Sequence, residues 1–165
     1  MSHRTIKVKL HEDYVQEEGT LTAVAVFPGM QLERTSTAAT FQAHSVAGGP
    51  AEMLIAVEDE GQGKGVADVY AASARVVFIA AAKGDVLAIR IADNDSSALG
   101  TVSIGDYLES DGAGYFRLWG WTNISSDSSG VVVNQTFPLA VAKEAIDMAD
   151  SSGVHGAGLI SASVL

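Results

Sequence analysis

Gly61-Gln62-Gly63-Lys64-Gly65 is the part of this chain that comes nearest to a phosphate-binding loop, in which backbone N–H groups and a lysine cradle an anion. The spacing does not fit. Such a loop places four residues between its first glycine and the Gly-Lys pair and a serine or threonine after the lysine, where this chain has Gly65, so a surface loop is expected. Asp93-Asn94-Asp95-Ser96-Ser97 has the oxygen density that opens a calcium loop, but Ala98 replaces the glycine at the sixth position and Ile104 the bidentate glutamate at the twelfth. A solvated turn is expected there. The four histidines, His3, His11, His44 and His155, show neither an H-x-H nor an H-E-x-x-H spacing, and without cysteine a zinc site would have to collect scattered imidazoles and carboxylates. No metal and no cofactor is expected. Glu58 with Glu60, and Glu109 with Asp111, have the composition of a glycosidase acid–base pair, yet both pairs fall at expected turns, where solvated charge is the simpler account. Serines are abundant, but no G-x-S-x-G elbow occurs, and the helices that such an elbow needs are missing from the pattern. The chain is therefore expected to carry no catalytic residues and not to be an enzyme. Trp119 and Trp121 flank Gly120, which puts both indoles on one side of an extended segment. Such a pair serves as a sugar-stacking platform, as an interface anchor or as core packing.

The elements that would position these residues are short strands. Apolar and β-branched runs are broken at short intervals by Lys83-Gly84-Asp85, Gly105-Asp106 and Asp111-Gly112, and Gly and Asp supply the turn conformations that bulkier residues resist. An all-β fold is expected, a small barrel or sandwich with little helix, built as one domain over residues 21–165. Strands are expected at Thr20 to Phe27, Met30 to Glu33, Thr40 to His44 and Met53 to Val57. Further strands are expected at Arg75 to Ala82 and Val86 to Ile91, joined as a hairpin, then at Ser103 to Glu109, Tyr115 to Trp119 and in VVVNQTF. The segment EDEGQGKGVADVYAAS is expected to be exposed loop. In the tail, PLAVAKEAIDMAD has near-helical spacing at Leu139, Ala142, Ile146 and Ala149 behind Pro138, and is equally compatible with a strand paired with Leu159 to Val164. Residues 1–20 read as an extended arm. Ile6, Val8 and Leu10 alternate with Lys7 and Lys9, the period of a strand with one apolar face. That strand either completes its own barrel or pairs with the sheet edge of a neighbour.

Composition bounds the class. A chain of 165 residues fits one domain able to bury about 70% of its unfolded surface. Zero cysteines exclude disulfides and suit a reducing compartment. The opening MSHRTIKVKLHEDY has no apolar run behind its charges, so no secretory signal is expected, and no apolar stretch approaches the roughly 20 residues that cross a bilayer. A soluble protein, cytoplasmic when made, is expected. A net charge of -10, with ten basic residues among twenty acidic ones, argues against a nucleic-acid partner, whose affinity comes from Lys and Arg on phosphates.

The order of several blocks resembles one family. FPGM is followed by A-x-E-D-E-x-x-GKG-V-x-D-x-Y at Ala56 to Tyr70, RVVFIAAAKGDVLAIRIA, SIGDYLESDGAGYFRL at Ser103 to Leu118, and LAVAKEAID. This series is similar to the capsid decoration (cement) proteins of tailed bacteriophages over nearly all of the chain after the arm. The resemblance implies a β-barrel or β-tulip domain that assembles as a homotrimer on the outer surface of an icosahedral head and grips the major capsid protein of adjacent capsomers. It also implies an extended LAVAKEAID tail, and residence in the host cytoplasm until assembly. The arm and the region from Trp121 to Gly130 depart from the family pattern. Ile6, Val8, Leu10, Trp119 and Trp121 are the expected capsid or inter-subunit contacts.

Overall fold

The computed structural model describes residues 5–22, 24–92, 101–119, 136–147 and 158–165. The chain forms β1 (Lys7–Lys9), β2 (Val15–Leu21), β3 (Gln31–Arg34), β4 (Thr40–Ala43), β5 (Leu54–Ala56), β6 (Arg75–Ala80) and β7 (Val86–Arg90). It continues as β8 (Thr101–Val102), β9 (Tyr107–Ser110), β10 (Phe116–Leu118), β11 (Ala140–Ala142), β12 (Ile146–Asp147) and β13 (Leu159–Val164), and the one helical element among the described residues is a 3-10 turn at Glu60–Gln62. The fold is all-β, as the glycine- and aspartate-punctuated runs predict.

The strand β6 accounts for the architecture. Its text, RVVFIA, is apolar on both faces, a pattern that only a strand covered on both sides can satisfy. Val76 and Phe78 point into one core with Leu21, Leu32, Phe41, Leu54 and Tyr70, whereas Val77 and Ile79 point into a second with Leu87, Ile89, Leu108, Phe116 and Ile160. Its neighbour β5 divides in the same way, Leu54 and Ala56 going to the first core and Ile55 to the second. Together β5 and β6 form a wall shared by two cores. The first core fills a closed barrel of order β2-β4-β3-β5-β6, in which β2 and β4 run parallel and the other pairs antiparallel. The second lies between that wall and a 6-stranded antiparallel sheet of order β1-β7-β13-β11-β9-β10. Each large side chain buried this way contributes about 1.5–3 kcal/mol before the entropy of ordering is subtracted. The strands β8 and β12 pair separately as a two-stranded ribbon.

Within the barrel, Gly19 allows the closest packing. A Cβ on this residue would stand 2.2 Å from the Phe41 ring, which itself packs on Phe78 with centroids 4.4 Å apart.

Several expectations are corrected. Arg75 to Ala82 and Val86 to Ile91 do not form a hairpin, because β2 and β5 occupy both edges of β6 and the chain instead crosses from barrel to sheet. At that crossing Asp85 accepts from the Ala82 N–H, while Gly84 N–H donates to Val164 O and Val164 N–H to Asp85 O, which fastens the turn to β13. The barrel's first strand is not Thr20 to Phe27: β2 ends at Leu21, and Val26 makes only a bridge to Tyr70. In the loop after β5, Glu58, Asp59 and Tyr70 are buried, not exposed. The tail is extended: β11 lies between β13 and β9, and its buried Ala140 and Ala142 follow the period of two that the second core requires. The helical alternative is not formed over the described residues. The segment expected as an arm contains β1, paired with β7, and nearly all of β2, which closes the barrel.

Candidate functional site

The hairpin β9–β10 presents the most distinctive side chains. It is set by the turn expected at Ser110 to Gly114, where the Asp111 carboxylate accepts from the N–H groups of Ala113 and Tyr115 at 2.7 and 2.9 Å. Leu108 and Phe116 face the second core. On the opposite, outer face the register places Glu109 against Arg117, and beyond them Trp119 donates its backbone N–H to Tyr107 O at 2.8 Å. Tyr107 and Trp119 meet edge to face with ring centroids 5.9 Å apart, and the indole Nε1 donates to Thr136 O at 3.3 Å. Both residues are about half exposed, so Trp119 is held in place while its surface stays open. With Gly105, Asp106 and Leu118 they line an open groove of about 300 Å³. Asp106 caps the preceding turn by accepting from the Ser103 N–H at 2.7 Å.

Other exposed apolar side chains continue this surface. Ile104 precedes the groove residue Gly105 and is 71% exposed. Phe137 follows Thr136, and its N–H donates to Gly48 O at 3.3 Å. The loop that carries Gly48 also presents Val46 to solvent. Gly48 has a φ of +63, and a Cβ there would lie 2.5 Å from the Thr136 Cγ2, so glycine lets the loop close over the sheet. Ile104, Tyr107, Trp119, Phe137 and Val46 are thus exposed apolar residues carried on a rim of segments that backbone hydrogen bonds tie together, with the Tyr107 and Trp119 rings in contact.

Beside this rim lies a polar group. Arg117 places Nε and Nη2 each 2.9 Å from Glu109 Oε1, and the Glu109 side chain is fully buried. Behind it, His44 Nδ1 lies 2.7 Å from Ser110 Oγ, which also accepts from the Gly112 N–H. Burial pushes the His44 imidazole below its ordinary 6.5, against the Glu33 and Asp111 carboxylates and the Pro50 carbonyl, which pull it up. The Asp111 carboxyl is pushed up by burial in turn. Burial also raises Glu33, but the hydrogen bonds from Ser45 and Gln42 outweigh it and hold the carboxylate below its usual range. Serine, imidazole and carboxylate are thus gathered in one place, but Ser110 and His44 are buried and Glu33 Oε2 stands 3.8 Å from His44 Nε2, beyond a hydrogen bond. This set ties the barrel to the sheet, since His44 follows β4 and Ser110 ends β9. Among the described residues no three His, Asp or Glu side chains gather as metal ligands do.

No protein-family model and no curated protein matches the chain.

The structure separates the residues predicted to make contacts. Trp119 stands on the rim, and Trp121 lies outside the described residues. Ile6 is buried in the second core of its own chain and Leu10 is partly buried against it, while Val8 is 46% exposed on the outermost strand of the sheet. His3, His155 and the segment Asp93 to Ser97 also lie outside the described residues. Sequence reasoning missed the buried carboxylates Glu58, Asp59 and Asp85, which fall in expected turns or loops, and Glu109, which ends an expected strand at a turn. For Glu109 a signal existed: counted outward from the Ser110 to Gly114 turn, it falls opposite Arg117 as a cross-strand ion pair does.

Proposed function

We propose that this chain is a structural, non-enzymatic component of a phage-type virion, a homotrimer on the outer surface of the head that holds neighbouring copies of the major capsid protein together. Its main support is the exposed apolar residues Ile104, Tyr107, Trp119, Phe137 and Val46 on a two-core body, with the Trp119 indole in contact with Tyr107 and hydrogen-bonded to Thr136 O. Exposed apolar side chains brought near one another are costly to leave in water and suit contact with another protein. The ordered blocks that resemble cement proteins supply the kind of partner, and the net charge of -10 keeps unassembled copies soluble and away from packaged nucleic acid. A protein that binds the closed shell and not its dissociated parts stabilises the shell by its binding free energy at each site. Co-sedimentation with expanded heads that lack a decoration protein tests this: saturable binding is expected, and heads that stay bare at saturating protein contradict it.

A second reading is a carbohydrate-binding or host-attachment module, favoured by the groove in which Asp106 sits beside the exposed Tyr107 and Trp119 rings. A glycan array with tryptophan fluorescence separates the two, since a cement protein gives no saccharide-dependent change.

A further inference from the structure

The N-terminal strand occupies a slot built for it by the rest of the chain. Residues 5–11 enter the slot with Ile6, which is fully buried and whose carbonyl accepts from the Ala88 N–H at 2.8 Å. At one end the buried Glu58 carboxylate accepts from the Thr5 hydroxyl and, at 3.1 Å, from the Ile6 N–H. At the other, the buried Asp85 carboxylate accepts from the His11 N–H at 2.8 Å and meets His11 Nδ1 at 2.8 and 3.0 Å. Between the two clamps, β1 pairs with β7 alone and ends the sheet. The connection onward is slight. Residues 11–14 are exposed and lead to β2 in the other layer, and the one side-chain hydrogen bond between β1 and β2 among the described residues is Lys7 Nζ to Gln16 Oε1 at 3.5 Å, on the surface.

We infer that residues 5–11 are an exchangeable strand, and that the slot formed by β7, Glu58 and Asp85 takes the same segment from a second copy of this chain. The position of the segment is fixed by the slot and not by its link to β2, so a neighbour's segment makes every contact that the resident one makes. Only the conformation of the exposed linker differs between the two arrangements, which is the condition under which strand exchange costs little. Exchange then depends on local concentration: a dilute chain fills its own slot, and crowded chains fill one another's. This does not rest on the proposed shell partner, because the second copy supplies both the strand and the slot.

The chain has no cysteine, which permits a direct test. Lys9 and Val86 are partners in the β1–β7 register, so Lys9→Cys and Val86→Cys place one thiol on the strand and one on the slot. The two single variants are mixed at high concentration, warmed below the unfolding transition, cooled and oxidised. The expected result is a disulfide that joins the strand thiol of one variant to the slot thiol of the other, seen as a dimer on a non-reducing denaturing gel and mapped by mass spectrometry. The double variant, oxidised when dilute, serves as the reference for a bond within one chain. Asp85→Asn in the mixture is expected to speed appearance of the dimer about tenfold, since a charge-assisted hydrogen bond no longer resists opening. It is expected to leave the final yield unchanged, because the same bond is lost from both arrangements. Deleting Glu12 and Asp13 from the double variant shortens the linker and is expected to make the strand-to-slot disulfide form between chains even when dilute, where the full-length double variant closes it within one chain. A mixture that forms no strand-to-slot disulfide between chains, or a shortened double variant that still closes it within one chain, overturns the inference.

Discussion

Glu109 and Arg117 face each other across the β9–β10 hairpin, and both Nε and Nη2 of the arginine lie 2.9 Å from a single oxygen, Oε1, of a fully buried carboxylate. The second oxygen, Oε2, has no hydrogen-bond partner among the described residues. The pair lies next to Tyr107 and Trp119 on the same face of the hairpin, so a buried ion pair fixes the strands that carry the two exposed rings.

Removing one partner leaves the other charge buried and uncompensated. Arg117→Ala is expected to destabilise the fold by about 3–5 kcal/mol, and the paired replacement Glu109→Leu with Arg117→Leu to cost much less than the sum of the single changes. Urea denaturation of the variants measures both.

Trp119 contributes exposed surface more than core. Trp119→Ser is expected to change stability by about 1 kcal/mol or less in the same denaturation assay, yet to weaken shell binding at least about tenfold in co-sedimentation, as loss of an aromatic anchor does.

The buried imidazole sets a pH dependence. Its folded-state pKa lies below the ordinary 6.5, so the unfolded chain binds the proton first as the pH falls. Stability is then full above about 6.5 and declines as the pH drops from there toward the lowered folded value. Chemical denaturation from about pH 8 to pH 5 is expected to show this decline, and His44→Gln to flatten it. Loss of the bond to Ser110 in that variant costs about 1 kcal/mol at the alkaline end of the range.

In the barrel, Gly19→Ala pushes a methyl group into the Phe41 ring, which is buried and has no room to withdraw from Phe78. A loss of about 1–3 kcal/mol is expected. Gly19→Ala combined with Phe41→Leu is expected to recover part of it, as read from the thermal midpoints.

Much of the fold was legible because period and turn chemistry act locally. The strands β3, β4, β5, β7 and β10 overlap expected runs, and the hairpin β9–β10 follows from Asp111 and Gly112. Layering was harder to read. RVVFIA shows that β6 is covered on both faces but not by which strands, and the β6–β7 hairpin was inferred from proximity in sequence where the sheet assignment depends on contacts across the whole chain. The acidic run before Leu21 concealed β2, because its outward-facing Glu18 carries charge on a strand whose pairing with β6 is nonetheless regular. At the rim, Trp119 was visible as an aromatic beside a glycine. The groove with Tyr107 was not, since it depends on the register of the hairpin.

Thermal scanning of expanded, undecorated heads with increasing amounts of this protein tests the central claim most directly. The account predicts that the shell transition moves to higher temperature and saturates as the surface fills, and that Trp119→Ser removes the shift. A shell that melts at the same temperature with and without saturating protein contradicts it.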